Sequence, residues 1–334
     1  MPKTFDLGLI GHFAYDYIFH DRSNSHNENQ PRTLGGGVTY GSLAAANFDS
    51  SANIAIVSKI GNDFDPAHLT PFHKKKIDTS GVIVDKNAKT TTYELYYDGA
   101  VRRLRLKQKA PQITISDIPD FLFSAKSIHF TPIAGEISSK TLHQIAEHKL
   151  LQNTIIGLDV QGIIRDFDED GLLISKDCNH VWKEFSPIFH LLGNRFILKA
   201  SGDEALYLTN ESSIPSATKK LGSLGIHVFT TMGAQGFLYY HPDSSHISLS
   251  AFHPNSCVDE TGAGDCFMAV LLTELVKSTK SPESNLAKKH LMRCATLASA
   301  ASSFLIEQPG PRGFSSRKEI LHRVQQQFLH PVSF

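Results

Sequence analysis

A chain of 334 residues can bury a sizeable core, as one large α/β domain or two small ones. Its 33 basic and 33 acidic residues cancel, so no global field draws it to nucleic acid or to an anionic membrane. Cys178, Cys257, Cys266 and Cys294 form no C-x-x-C pair, which argues against a disulfide framework or zinc knuckle and fits a reducing, cytoplasmic setting. No apolar run approaches bilayer-spanning length, and "LGLIGHFAYDYIF" is interrupted by His12 and Asp16 as a signal peptide would not be.

Short apolar runs alternate with helical patterns, which predicts βαβ units and a mainly parallel sheet. Strands are expected at 6–13, 53–61, 127–133, 154–160, 195–200, 226–232 and 237–241. The polar stretch 21–32 reads as an exposed loop, and "VTYGSLAAANF" as a helix opening after three glycines. "TTTYELYYDGAVRRLRL" places two β-rich arms around Asp98-Gly99, a hairpin signal, with Arg103 and Arg105 on one face and Leu104 and Leu106 on the other. A hairpin this early suggests a small extra sheet projecting from the main domain. Further helices are expected at 138–151, 286–305 and 315–328.

"DETGAGDCFMAVLL" (259–272) runs from small and acidic residues straight into an apolar block. Gly262, Ala263 and Gly264 at a helix start can turn successive N–H groups towards an anion, and the helix dipole adds to that attraction. Asp265 beside a bound phosphate is useless for binding, but it suits a base that deprotonates a hydroxyl attacking that phosphate. The same residues also describe an ordinary tight turn before a core helix.

A phosphate donor needs its own site. "TTMGAQGF" offers Thr231, Gly233 and Gly236 at a strand end, or simply a turn. "LKASGDEAL" offers Ser201 and Glu204, either as a capping box or with Glu204 orienting water around Mg2+ on nucleotide phosphates. On the acceptor side stand Asp16, the glycines of "TLGGGVTYG" (Gly35 and Gly36 among them), and "LDVQGIIRDFD" with Asp159, Gln161 and Arg165. Each has a plain alternative: a cap, a turn, a surface ion pair. No Walker-type loop, protein-kinase catalytic loop, G-x-G-x-x-G after the first strand or H-E-x-x-H is present.

Taken in order, "LGGGVTYGSLAAANF", "LKASGDEAL", "TTMGAQG" and "DETGAGDCFMAVLL" resemble the signatures of the PfkB/ribokinase family of carbohydrate kinases. The resemblance implies a single domain over 1–334 with a ribokinase-like three-layer α/β fold. A mostly parallel sheet would lie between helices, with a small β lid drawn mainly from about 13–34 and 90–108. It implies an ATP-dependent kinase using Mg2+, with Asp265 as base and Gly262, Ala263 and Gly264 as anion hole. Ser201, Glu204, Thr231, Gly233 and Gly236 would serve the nucleotide, Glu204 reaching the metal through water; Asp16, Gly35, Gly36, Tyr40, Gln161 and Arg165 would face the acceptor.

Three positions depart from the pattern. Ser201 replaces an asparagine, Glu260 replaces a threonine, and Tyr40 stands where ribose-type kinases carry a substrate-binding asparagine. The Tyr40 change counts against ribose, and together with "LDVQGIIR" it looks more like the sub-branch holding inositol kinases. The expected acceptor is a small sugar or polyol such as myo-inositol, with a nucleoside kinase or a non-catalytic sugar- or nucleotide-binding regulator as rivals. Neither nucleic acid nor membrane is expected as a partner, and the lid offers strands through which a homodimer could pair.

Overall fold

The computed structural model describes residues 4–19, 32–98, 101–277 and 286–329. Apart from Arg32, the polar 21–32 stretch lies outside these residues, as does Gly99 of the hairpin turn. The first half contains β1 (Leu7–Ile10), β2 (Ala14–Phe19), β3 (Arg32–Gly35), α1 (Gly37–Phe48), β4 (Ile54–Gly61), α2 (Thr70–Lys74), β5 (Asp78–Asp85), β6 (Thr91–Asp98), β7 (Val101–Gln108), β8 (Ser127–Phe130), α3 (Ser139–Glu147) and β9 (Ile155–Asp159). Then come α4 (Gln161–Ile164), β10 (Arg165–Phe167), β11 (Leu173–Ser175), α5 (Cys178–Leu192), β12 (Phe196–Ser201), α6 (Gly202–Thr209), α7 (Ile214–Gly222) and β13 (His227–Thr231). The chain closes with β14 (Phe237–His241), β15 (Ser244–Leu249), α8 (Ala263–Lys277), α9 (Lys288–Leu305) and α10 (Arg317–Leu329).

Among the described residues, nine strands form the main sheet in the order β15-β14-β13-β12-β9-β8-β1-β4-β5. Pairing is parallel from β13 to β5, and antiparallel only where β14 and β15 are added at one edge. The expected strands 127–133 and 226–232 end early, at Phe130 and Thr231. Beyond each, the chain leaves the ladder to supply loop residues to the strand ends, where an open parallel sheet gathers its ligands.

The sheet divides two cores, as strand alternation requires. Leu7, Leu9, Ile54, Ile56, Ile155, Ile197 and Phe229 join α1, α8 and α9 on one face. Ile10, Ala55, Val57, Ile156, Leu158, Leu198 and Val228 join α3, α5, α6 and α7 on the other. α8 is buried from Cys266 to Val276, including the apolar block that follows Asp265.

A separate four-stranded sheet has the order β3-β2-β6-β7, and a short β10–β11 hairpin lies against β7 through Leu106 N–H donating to the Gly171 carbonyl. Leu104 is buried on the inner face of β7, while Arg103 is exposed on the other. All four cysteines are free. Among the described residues, no helix is long and apolar enough to cross a membrane.

Candidate active site

The order of the main sheet places Thr231, Ser201, Asp159 and Thr131 in succession at or just beyond the ends of β13, β12, β9 and β8. Asp159 and Lys199 are register partners on adjacent strands, facing α8. Their side chains meet at 2.7 Å, each only 6% exposed. Asp265 enters from the first turn of α8 and accepts a hydrogen bond from Thr131 Oγ1 at 2.5 Å.

Gly262 has φ of 79°, a conformation that L side chains avoid, and a Cβ there would overlap the Tyr40 ring. A Cβ on Gly264 would strike Lys199 Nζ, so the ammonium group rests directly on the backbone at the start of α8. Within this turn, Ala263 N–H donates to the Glu260 carbonyl and Cys266 N–H to that of Gly262. Among the described residues, the N–H groups of Gly262 and Gly264 have no partner in the turn. Ala263, expected in the anion hole with Gly262 and Gly264, has its N–H directed to the Glu260 carbonyl.

Asp159, Lys199, Gly262, Ala263, Gly264 and Asp265 line one cavity of about 470 Å3. Every expected site residue except Gly35 lines it, and Gly35 packs against the Asp16 carboxylate so closely that a Cβ would overlap it. Asp16, Tyr93, Leu95, Leu104, Ile133, Gln161 and Arg165 close one end under the small sheet. At the other end, Thr231, Gly233, Gly236, Phe237, Ala251, Phe252 and Ile306 form a slot with apolar walls.

Charge inside the cavity is coupled. Burial, then the neighbouring Asp159 carboxylate, raises the Asp265 pKa to about 6, against the pull of Thr131, Lys199 and Arg165. Burial also opposes charge on Lys199, but Asp159, Glu204 and Asp265 outweigh it and raise its pKa above the usual lysine value. Lys199 is therefore a fixed cation. Burial and Asp159 also raise the pKa of Glu204.

Ser201 and Glu204 do form the capping box, with Ser201 N–H donating to Glu204 Oε2 at 2.7 Å and Glu204 N–H to Ser201 Oγ at 3.2 Å. Glu204 lines the cavity as well, so the cap and a place beside phosphates are compatible. No cluster of three or more metal-binding side chains occurs among the described residues.

Several site residues escaped the sequence reading. Lys199 had a signal: a lysine inside the apolar strand "RFILKA" has to find a partner. Thr131 had none, since it meets Asp265 across 134 positions of sequence. Tyr93, whose hydroxyl donates to the Ile133 carbonyl at 2.8 Å, looked like any other hairpin aromatic.

Residues 175–318 match the pfkB family carbohydrate kinase profile. Inositol 3-kinase of Arabidopsis thaliana is 29% identical over 286 residues, covering 83% of this chain and 70% of that protein. Among solved structures, a ribokinase from Giardia lamblia superposes with a TM-score of 0.77 at 16% identity, covering 97% of this chain and 99% of that one. A pyrophosphate-dependent kinase of the ribokinase family, complexed with a pyrophosphate analog and myo-inositol, gives 0.68 at 21% identity over 95% and 99%. The fold is thus ribokinase-like, and residues 175–318 are similar to pfkB family carbohydrate kinases, a likeness that points to a phosphotransferase with an alcohol group as its acceptor.

Proposed function

We propose that this protein transfers the γ-phosphoryl group of ATP to one hydroxyl of a small polyol of the myo-inositol type, with Asp265 as general base. The observation that carries the reading is a desolvated carboxylate at a helix start, beside two open N–H groups and a buried lysine, in one cavity with two chemically different ends.

The acceptor hydroxyl lies against Asp265, whose carboxylate is oriented by Thr131 and takes the proton as the oxygen attacks phosphorus. The N–H groups of Gly262 and Gly264, with Lys199 above them, receive the negative charge on the phosphoryl oxygens. Asp159 holds Lys199 in place. Asp16 and Arg165 hold acceptor hydroxyls, and Leu95, Leu104 and Tyr93 of the lid cover its apolar face. When bound near Glu204 through water, Mg2+ supplies charge neutralisation at the donor phosphates. The small sheet acts as a lid that keeps water from competing with the acceptor.

The apolar slot formed by Phe237, Phe252 and Ile306 favours a nucleotide over bare pyrophosphate, because a flat base buries apolar surface there and pyrophosphate has none to bury. Likeness to inositol 3-kinase, together with Tyr40 in place of asparagine, supports a cyclitol acceptor. The test is product formation with ATP or pyrophosphate against myo-inositol, hexoses, ribose and nucleosides. Turnover with ATP and a cyclitol, abolished in Asp265→Asn with ATP binding retained, is the expected outcome. Retained turnover in that variant sinks the mechanism, and a preference for nucleosides sinks the acceptor.

A further inference from the structure

Residues 250–262, between β15 and α8, have no regular secondary structure up to Glu260 and wall the donor end of the cavity through Ala251, Phe252, Pro254, Cys257, Glu260 and Thr261. His253 and residues 255–258 are exposed, so packing alone does not fix this wall. It is tied instead to the end of α9. Val258 N–H and Asp259 N–H donate to the Ile306 carbonyl at 2.7 and 3.2 Å. Asn255 N–H donates to Glu307 Oε1 at 2.7 Å, and its side-chain amide reaches Oε2 at 3.4 Å.

Glu307 is itself held from behind. The oxygen that accepts from Asn255 also accepts from Arg323 Nη2 of α10, at 2.7 Å. Arg323 is 7% exposed, donates its other terminal nitrogen to Ser303 Oγ at 2.8 Å, and lies over the Phe304 ring at 3.3 Å. From the same helix, Gln327 Nε2 donates to the His253 carbonyl at 3.4 Å. Neither Arg323 nor Glu307 lines the cavity.

A largely buried ion pair is weak evidence for stability, because desolvation offsets its attraction. This one is placed to do something else. One carboxylate oxygen joins the last helix to the loop that walls the donor site, and a hydrogen bond to an ionised acceptor is stronger and more directional than a neutral one.

We propose that Glu307, oriented by Arg323, is a positioning residue for the phosphoryl donor: it fixes the 253–259 wall and makes α10 part of the donor-binding apparatus. The inference rests on the nucleotide reading of that end of the cavity. Glu307→Ala and Arg323→Met are expected to raise the KM for ATP at least about tenfold, the worth of one charge-assisted hydrogen bond. The acceptor KM and kcat should stay within about twofold, since those groups lie elsewhere.

The double variant Glu307→Gln/Arg323→Met separates positioning from mere folding. Its amide oxygen still accepts Asn255 N–H, and no uncompensated charge is left behind, so the ATP KM should return towards the wild-type value although the ion pair is gone. Circular dichroism melts on each variant identify any that fold poorly. An ATP KM unchanged in Glu307→Ala, or kcat and both KM values moving together with the melting temperature, overturns the proposal. A wild-type enzyme that uses pyrophosphate in place of ATP defeats the nucleotide reading instead, and shows itself before any variant is made.

Discussion

At the residue scale, the proposed chemistry depends on keeping one carboxylate desolvated yet usable. Asp265 titrates near 6 because burial and the Asp159 charge both disfavour its ionised form. The acidic limb of kcat/KM should therefore fall near pH 6. The same shift predicts a stability effect. A carboxyl group whose folded pKa lies above its unfolded value of 3.8 stabilises the fold only while protonated, and that contribution is lost as pH rises through about 6. Asp265→Asn should then be dead but more heat-stable than wild type at pH 8 by roughly 3 kcal/mol, with the difference shrinking below pH 6. A thermal melt series across pH 4–8 on both proteins checks the sign.

Lys199 makes the complementary case. Lys199→Met removes the cation above Gly264 and strands Asp159, so turnover should fall by about 10²–10³, the usual loss for one preorganised charge stabiliser. Removing the carboxylate as well, in Lys199→Met/Asp159→Asn, should restore the melting temperature without restoring turnover. Recovery of turnover in the double variant would mean that Lys199 only neutralises Asp159.

At the element scale, two helix starts serve different ends. The α6 start is closed by its capping box, and Ser201→Ala should cost about 1 kcal/mol of stability with turnover largely kept. The α8 start is left open, because Gly262 turns the chain with φ of 79° against the Tyr40 ring. Gly262→Ala has neither the backbone freedom nor the space, so turnover should fall by at least about 10²-fold as the N–H groups shift. Comparing the two variants by melt and by steady-state rate separates cap from anion hole. The position expected to bind substrate, Tyr40, is thus also the support behind the turn.

At the scale of the whole molecule, the main sheet carries ionisable groups in its interior. His129, in β8, is buried with neither ring nitrogen hydrogen-bonded, and His227, in β13, is buried with Nδ1 paired to the Tyr239 hydroxyl at 2.8 Å and Nε2 without a partner among the described residues. Burial, the larger cause in both, lowers each pKa to about 3. For a histidine depressed below its unfolded value of 6.5, stability present at neutral pH is lost as pH falls, the reverse of Asp265. Each should cost about 2 kcal/mol at pH 5, so the melting temperature should drop between pH 7 and 5. His129→Leu should flatten that slope; a pH-independent melting temperature would contradict the assignment.

Much of this protein was legible in its sequence because the signals were local. Apolar runs of strand length alternating with helical patterns determined the parallel sheet, and Asp98-Gly99 between β-rich arms determined the β6–β7 hairpin. The glycines before Asp265 marked the start of α8, since positive φ and close backbone approach depend on residue type alone. Tertiary structure alone decided which groups surround that carboxylate. Thr131 reaches it across 134 positions, Lys199 rests on Gly264 because β12 and β9 share a register, and Arg323 meets Glu307 because α10 folds back on α9. Those meetings are set by strand order and helix packing, which no local pattern encodes.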